Sequence, residues 1–246
     1  MSSSLANTNT ALHIRYLAQC LSLATQSPPK PTNFRVGALL LIRRQSKHKN
    51  NDNDSEESTF DDRIVSTGYT LELPGNTHAE QSCLKKLASK HNVFEEQVGR
   101  AIKRECEASE GPAQVVMYVT MEPCGKRLSG NTPCVERIIQ AGKSEGGIEG
   151  RGIDVVYFGV KEPGTFVGES QGCRMLDEAG IKWEHIGGME EEILKVATEG
   201  HRQKNAGEIG QGDSHVEVTN IDDISEEERK RQEETPRNPK KRMMEA

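Results

Sequence analysis

Residues 113–140 read AQVVMYVTMEPCGKRLSGNTPCVERIIQ. The first nine, Ala113 to Met121, form a nearly unbroken apolar run, the pattern of a strand covered on both faces at the centre of a sheet. A polar loop follows. Thr132 can then cap a helix with Pro133 in its first position, running through CVERIIQ to Gly142. Working outward, ALHIRYLAQCLSLATQ (11–26) carries Leu12, Tyr16, Leu17, Cys20, Leu21 and Leu23 at helical spacing. FRVGALLLI (34–42) and RIVSTGYTLEL (63–73) read as strands, HAEQSCLKKLASK (78–90) and residues 94–108 as helices. Beyond the opening stretch, IDVVYFGV (153–160) is a second buried strand, CRMLDEAG (173–180) a helix, IKWEHI (181–186) a strand and MEEEILKVATEGHR (189–202) a last helix. Strands alternating with helices predict a three-layer α/β/α sandwich, with helices on both faces of a central mixed sheet of about five strands.

The chain has 246 residues and a formal net charge of −6, with 33% hydrophobic and 4% aromatic residues. The negative charge is concentrated in two polar segments. Residues 43–62 hold four basic and six acidic groups, and residues 205–246 hold seven and eleven, which leaves the remainder neutral. The expected organisation is a disordered 1–10, one domain over 11–204 with 43–62 as a disordered insertion at a hairpin tip, and a largely disordered charged tail over 205–246. A neutral core argues against a duplex nucleic-acid partner. No apolar run approaches the roughly 18 residues of a membrane span, and no secretory leader is evident. The expected setting is the cytoplasm, with the nucleus as a second compartment through the small basic cluster Lys240-Lys241-Arg242, itself read first as solvated tail. In a reducing compartment, cysteine spacing points to metal or catalysis before disulfides.

Two segments carry chemistry. His78-Ala79-Glu80 opens a helix, and Cys124 and Cys134 are separated by nine residues. One imidazole and two thiolates make a three-ligand zinc set with an open position for water, whose pKa the metal lowers. Helix N-termini favour the anionic species gathered there. Glu80, not needed as a ligand, can act as general base and then general acid. The same glutamate also completes a T-x-x-E capping box with Thr77, an ordinary structural role. Cys20, Cys83 and Cys106 read as buried or partly exposed small residues, and the sequence assigns Cys173 no single role.

H-A-E followed by P-C…C resembles the zinc-dependent cytidine-deaminase superfamily. The long P-C-(nine)-C spacing ending in G-N-T-P-C, N-F-R-V-G-A (33–38) and V-G-E-S-Q-G-C-R-M-L-D-E-A-G-I (167–181) are similar to the pyrimidine deaminases of riboflavin biosynthesis, and R-L-S-G-N most resembles their fungal branch. The resemblance implies a pyrimidine ribityl phosphate as substrate, 2,5-diamino-6-ribitylamino-4(3H)-pyrimidinone 5′-phosphate, hydrolysed at its 2-amino group. It further implies Zn2+ on His78, Cys124 and Cys134, Glu80 as proton shuttle, Asn33 as base contact and, most simply, a homodimer. The inter-cysteine loop offers Lys126, Arg127, Ser129 and Asn131 as phosphate donors. Bacterial members carry H-A-E-x-H where this chain has Ser82.

Two other readings compete. A nucleotide or RNA-base deaminase of the same superfamily is disfavoured by the cysteine spacing and the shortage of aromatic stacking platforms. A catalytically silent zinc-bearing partner subunit is disfavoured by Glu80, which a structural zinc site does not need.

Overall fold

The structure, a computed structural model, describes residues 2–49, 56–127, 130–143, 150–162 and 171–201. Its middle strand is β3, Ala113–Met121, buried from Val115 onward as the apolar run requires. Around it lie β1 (Gly37–Lys49), β2 (Glu56–Tyr69), β4 (Val155–Val160) and β5 (Lys182–His185), in the order β2-β1-β3-β4-β5. β1 is antiparallel to both β2 and β3, whereas β3, β4 and β5 run parallel. The sheet is mixed, as expected.

Alternation along the strands divides the core into two layers. Leu40, Ile42, Met117 and Val119 face α2 (Ala79–Lys90), α3 (Val98–Glu107), α4 (Cys134–Ala141) and α5 (Gln171–Glu178), packing on Leu84, Leu87, Ile102, Ile138 and Leu176. Leu39, Leu41, Val116 and Tyr118 face α1 (Ser2–Ala24) through Tyr16, Leu17 and Cys20. α6 (Glu190–Ala197) closes the same side with Ile193 and Ala197 against Met121 and Val160. Gly68 admits α2 closely: a Cβ there would stand 2.3 Å from the Ala79 carbonyl oxygen.

The topology gathers one end of the sheet. Ala38 pairs with Val119, so the segment entering β1 lies beside the chain leaving β3, and the exits of β2 and the parallel β4 lie at the same end. Ligands of open α/β sheets bind outside the carboxyl ends of the parallel strands.

The structure corrects several expectations. Helix α1 begins at Ser2, ahead of the 11–26 run whose spacing predicts it, as a helix anchored by packing propagates outward at one hydrogen bond per residue. Within the segment 43–62, residues 43–49 and 56–62 are paired, the β1–β2 ladder continuing through Arg43↔Asp62 to Lys49↔Glu56, and residues 50–55 lie outside the described residues. Backbone pairing, indifferent to side-chain polarity, extends that hairpin. The N-cap of α4 is Pro133 and makes no side-chain capping bond, so the cap expected of Thr132 is not formed. The Lys240–Arg242 cluster and the tail over 205–246 lie outside the described residues.

Candidate active site

His78 is the residue that starts α2, and Cys134 is the first residue of α4. Cys124 sits three residues beyond the end of β3. These placements bring His78 Nδ1 to 3.6 Å from Cys124 Sγ and 3.3 Å from Cys134 Sγ, with all three atoms within 4.8 Å of one another. The Cys134 backbone N–H donates to Cys124 Sγ at 3.5 Å, so the opening turn of α4 supports a thiolate there. The Cys134 thiol and His78 hold the Cys124 thiol down to about 4, despite burial. Cys134 is pushed up by its hydrogen bond to Cys124, by burial and by Glu80. Two buried sulfurs this close cannot both be anions without a cation between them, and one nitrogen with two sulfurs is a donor set suited to zinc.

Glu80 is 3% exposed. Burial first, then the charge of Cys124, raises its carboxyl above the ordinary range, while His78 lowers it. The capping-box alternative is not realised: α2 has no side-chain cap at its N-terminus, and Thr77 Oγ1 donates to the Leu73 carbonyl instead. Glu80 therefore stands beside the three donors free of the Thr77 capping box, its carboxyl meeting its own backbone N–H and the Cys134 thiol.

The remaining sequence candidates separate. Asn33 is half-buried just ahead of β1 and donates from Nδ2 to Asn76 Oδ1 at 2.7 Å. Lys126 and Asn131 are exposed on the inter-cysteine loop. Arg127 turns inward: it is 9% exposed, donating from Nη2 to the Asn76 carbonyl at 2.6 Å and from Nη1 to Gln81 Oε1 at 3.3 Å. Ser129 lies outside the described residues. Ser82 is fully buried, and its hydroxyl has no hydrogen-bond partner among the described residues.

Three groups escaped the sequence reading. Glu122, 4% exposed, accepts from the Glu162 backbone N–H at 3.4 Å and from Cys173 Sγ at 3.5 Å, tying the end of β4 and the start of α5 to the residue pair before Cys124. The acid directly before Pro123-Cys124, at the end of an apolar strand, was the available signal. Glu162 is pushed up to about 8 by burial and by the negative groups Cys124, Glu122 and Glu80. Asn76 stood in a Pro-Gly-Asn break that signals only a turn.

The sequence model of the cytidine and deoxycytidylate deaminase zinc-binding region matches residues 10–146, and the chain belongs to that family. Among curated proteins it is 29% identical over 193 residues to the diaminohydroxyphosphoribosylamino-pyrimidine deaminase of Schizosaccharomyces pombe. That match covers 78% of this chain but only 36% of the relative, so the chain spans about a third of that protein's length. Among solved structures, the Aspergillus oryzae Rib2 deaminase, a C-terminal deletion mutant at pH 6.5, is 52% identical with a TM-score of 0.62, covering 78% of this chain and 93% of the other. The same Aspergillus deaminase in complex with DARIPP matches with the same identity, coverage and TM-score. Among the described residues, no helix is long and apolar enough to cross a membrane.

Proposed function

We propose that this protein is a hydrolytic pyrimidine deaminase of riboflavin biosynthesis. It would convert 2,5-diamino-6-ribitylamino-4(3H)-pyrimidinone 5′-phosphate to 5-amino-6-ribitylamino-2,4-pyrimidinedione 5′-phosphate and ammonia. The observation that carries the reaction class is the triangle of His78, Cys124 and Cys134 with a buried, non-capping carboxyl at Glu80. The similarity to the Schizosaccharomyces and Aspergillus deaminases supports the substrate.

His78 Nδ1 and the two Sγ atoms would hold zinc. Bound there, the metal acts as a Lewis acid that lowers the pKa of water. Glu80, in the first turn of the helix that His78 starts, takes a proton from the attacking water and delivers protons to a ring nitrogen and the departing amine. Its burial excludes competing solvent, and that burial raises its pKa in the direction that suits a group which must both accept and release a proton. Asn33 contacts the base. Lys126 and Asn131, exposed on the loop between the cysteines, with Ser129 on the same loop, bind the phosphate. Arg127 serves the phosphate through its charge while its fork braces the loop against Asn76 and Gln81. The assembly is a homodimer, by resemblance to the superfamily, and light scattering measures it. None of the six cysteines is paired in a disulfide, which suits a reducing, cytoplasmic setting.

Ammonia release should be measured on the diamino-ribityl pyrimidine phosphate, dCMP and cytidine. Turnover of the first, with little of the others, is expected. Turnover of dCMP or cytidine alone would overturn the substrate assignment.

A further inference from the structure

Asn33 lies in residues 30–35, which precede β1 and stand outside the five-stranded sheet. A side chain that meets a ligand from such a segment needs its backbone held by something other than the sheet ladder, because a site is only as precise as the shell that supports it.

The far end of the domain supplies that support. α6 ends at Ala197, and residues 199–201 add one turn of 3-10 helix. The Ala197 carbonyl accepts from the Arg35 N–H at 3.1 Å. The Glu199 carboxylate pairs with the buried Arg35 guanidinium, whose Nε also donates to the Ser27 carbonyl at 2.7 Å. Gly200 is buried, and a Cβ there would stand 2.4 Å from the Lys30 backbone nitrogen, so the two backbones touch. The Lys30 carbonyl in turn accepts from the Asn33 N–H at 3.4 Å.

His201 makes the contact nearest the candidate site. Its Nε2 stands 3.2 Å from the Asn33 carbonyl oxygen, 168 residues back along the chain. A carbonyl only accepts, so the ring carries a proton on Nε2 and donates it. Turning the imidazole over would set a carbon against that oxygen, so the contact itself selects one orientation. The ring also packs on Phe34, with centroids 4.8 Å apart, and the His201 backbone N–H donates to the Thr198 carbonyl at 2.9 Å. Side chain and backbone of His201 are therefore both held.

We infer that His201 is a positioning residue for substrate binding: by holding the Asn33 carbonyl, it fixes the backbone from which the Asn33 side chain meets the pyrimidine. This rests on the reading of Asn33 as the base contact.

The test compares His201→Ala, His201→Gln, Asn33→Ala and the double variant His201→Ala/Asn33→Ala. Glutamine keeps an N–H at a similar reach for the Asn33 carbonyl; alanine removes it. His201→Ala should raise KM for the diaminopyrimidinone phosphate and the dissociation constant of its dione product about fivefold to tenfold, the scale of one hydrogen bond, with kcat changed less than about threefold and zinc affinity unchanged. His201→Gln should stay within about threefold of the parent in both. Because His201 acts through Asn33, its removal in the Asn33→Ala background should weaken product binding by less than about twofold further. Equal losses for alanine and glutamine, or losses at His201 and Asn33 that simply multiply, overturn the proposal. So does a fall in kcat and zinc affinity that matches the rise in KM, which would mark a general loosening of the fold. If Asn33→Ala leaves KM and product binding unchanged, the base-contact reading fails, and the proposal with it. If Asn33→Ala weakens both while His201→Ala does not, only the role of His201 is lost.

Discussion

The Arg43 guanidinium meets the Asp62 carboxylate at both ends, Nε to Oδ1 at 2.8 Å and Nη2 to Oδ2 at 2.7 Å, with the side chains 6% and 5% exposed. Tyr16 donates a further hydrogen bond to Asp62 Oδ2 at 2.9 Å, and Arg43 reaches the Tyr118 hydroxyl at 3.4 Å. The pair joins the middle of the β1–β2 hairpin to α1 and to the central strand. Breaking one side of such a pair strands a buried charge, at a cost of about 3–5 kcal/mol, whereas replacing both by apolar groups of similar size can be neutral. Asp62→Ala should therefore lower unfolding free energy by about 3 kcal/mol, and Arg43→Met with Asp62→Leu should recover most of it. Urea denaturation measures both. A loss below about 1 kcal/mol in the single variant would show that the pair is solvated.

His13 belongs to the same cluster, with Nδ1 2.8 Å from the Tyr118 hydroxyl and its ring 4.2 Å from that of Tyr157. Burial, then the charge of Arg43, brings its pKa from 6.5 down to about 4, against the opposing pull of Asp62. Between those values the unfolded chain binds a proton that the native state does not, so stability falls as pH drops from about 6.5 towards 4. At pH 5 the contribution is about 2 kcal/mol relative to pH 7.5. His13→Gln keeps an uncharged acceptor for Tyr118 and should flatten that part of the pH profile. A variant that loses as much stability as the parent between pH 7.5 and 5 would refute the assignment to His13.

Glu80 offers a separation of metal binding from proton transfer. Glu80→Gln preserves the shape of a buried group that is not among the three donors, so zinc content should stay near one per chain while deamination falls by two orders of magnitude or more. Metal analysis alongside ammonia release checks this; loss of zinc would make Glu80 a ligand. Removing the metal from the parent protein with a chelator should also lower its melting temperature, because binding to the folded donor triangle stabilises the native state.

The chemistry and the fold were legible in the sequence to different depths. Ala113–Met121 needed only local pattern, because a strand buried on both faces must be apolar throughout. His78, Cys124 and Cys134 were legible because three donors in strand–loop–helix settings are a rare coincidence. Arg43 and Asp62 misled for the opposite reason: a charged residue reads as exposed until its partner is known, and the partner here is 19 residues away. Thr77 and Glu80 show the limit of a motif, since T-x-x-E describes a capping box that the chain does not make. Asn76 and Glu122 make their contacts with segments distant in sequence, which no local spacing announces.

The approach of α5 to the loop carrying Cys124 yields a prediction about a residue with no side chain. A Cβ at Gly172 would stand 2.4 Å from the Pro123 carbonyl oxygen and 3.2 Å from Glu122 Oε1, both in the pair immediately before Cys124. The carbonyl is backbone and cannot rotate aside, so Gly172→Ala must separate α5 from that loop or shift the loop itself. Overpacking of this kind costs about 1–3 kcal/mol. Because the displaced atoms adjoin Cys124, a donor in the proposed zinc site, the damage should exceed a simple loss of stability: zinc affinity, measured by competition with a chelator, should fall at least about tenfold, the size of loss that disturbed outer contacts produce at metal sites. Gly142→Ala is the matched control, since its nearest contact is an ordinary 3.4 Å and it lies at the far end of α4 from Cys134. Equal zinc affinities for the two variants would mean that the contact between Gly172 and Pro123 does not hold Cys124 in place.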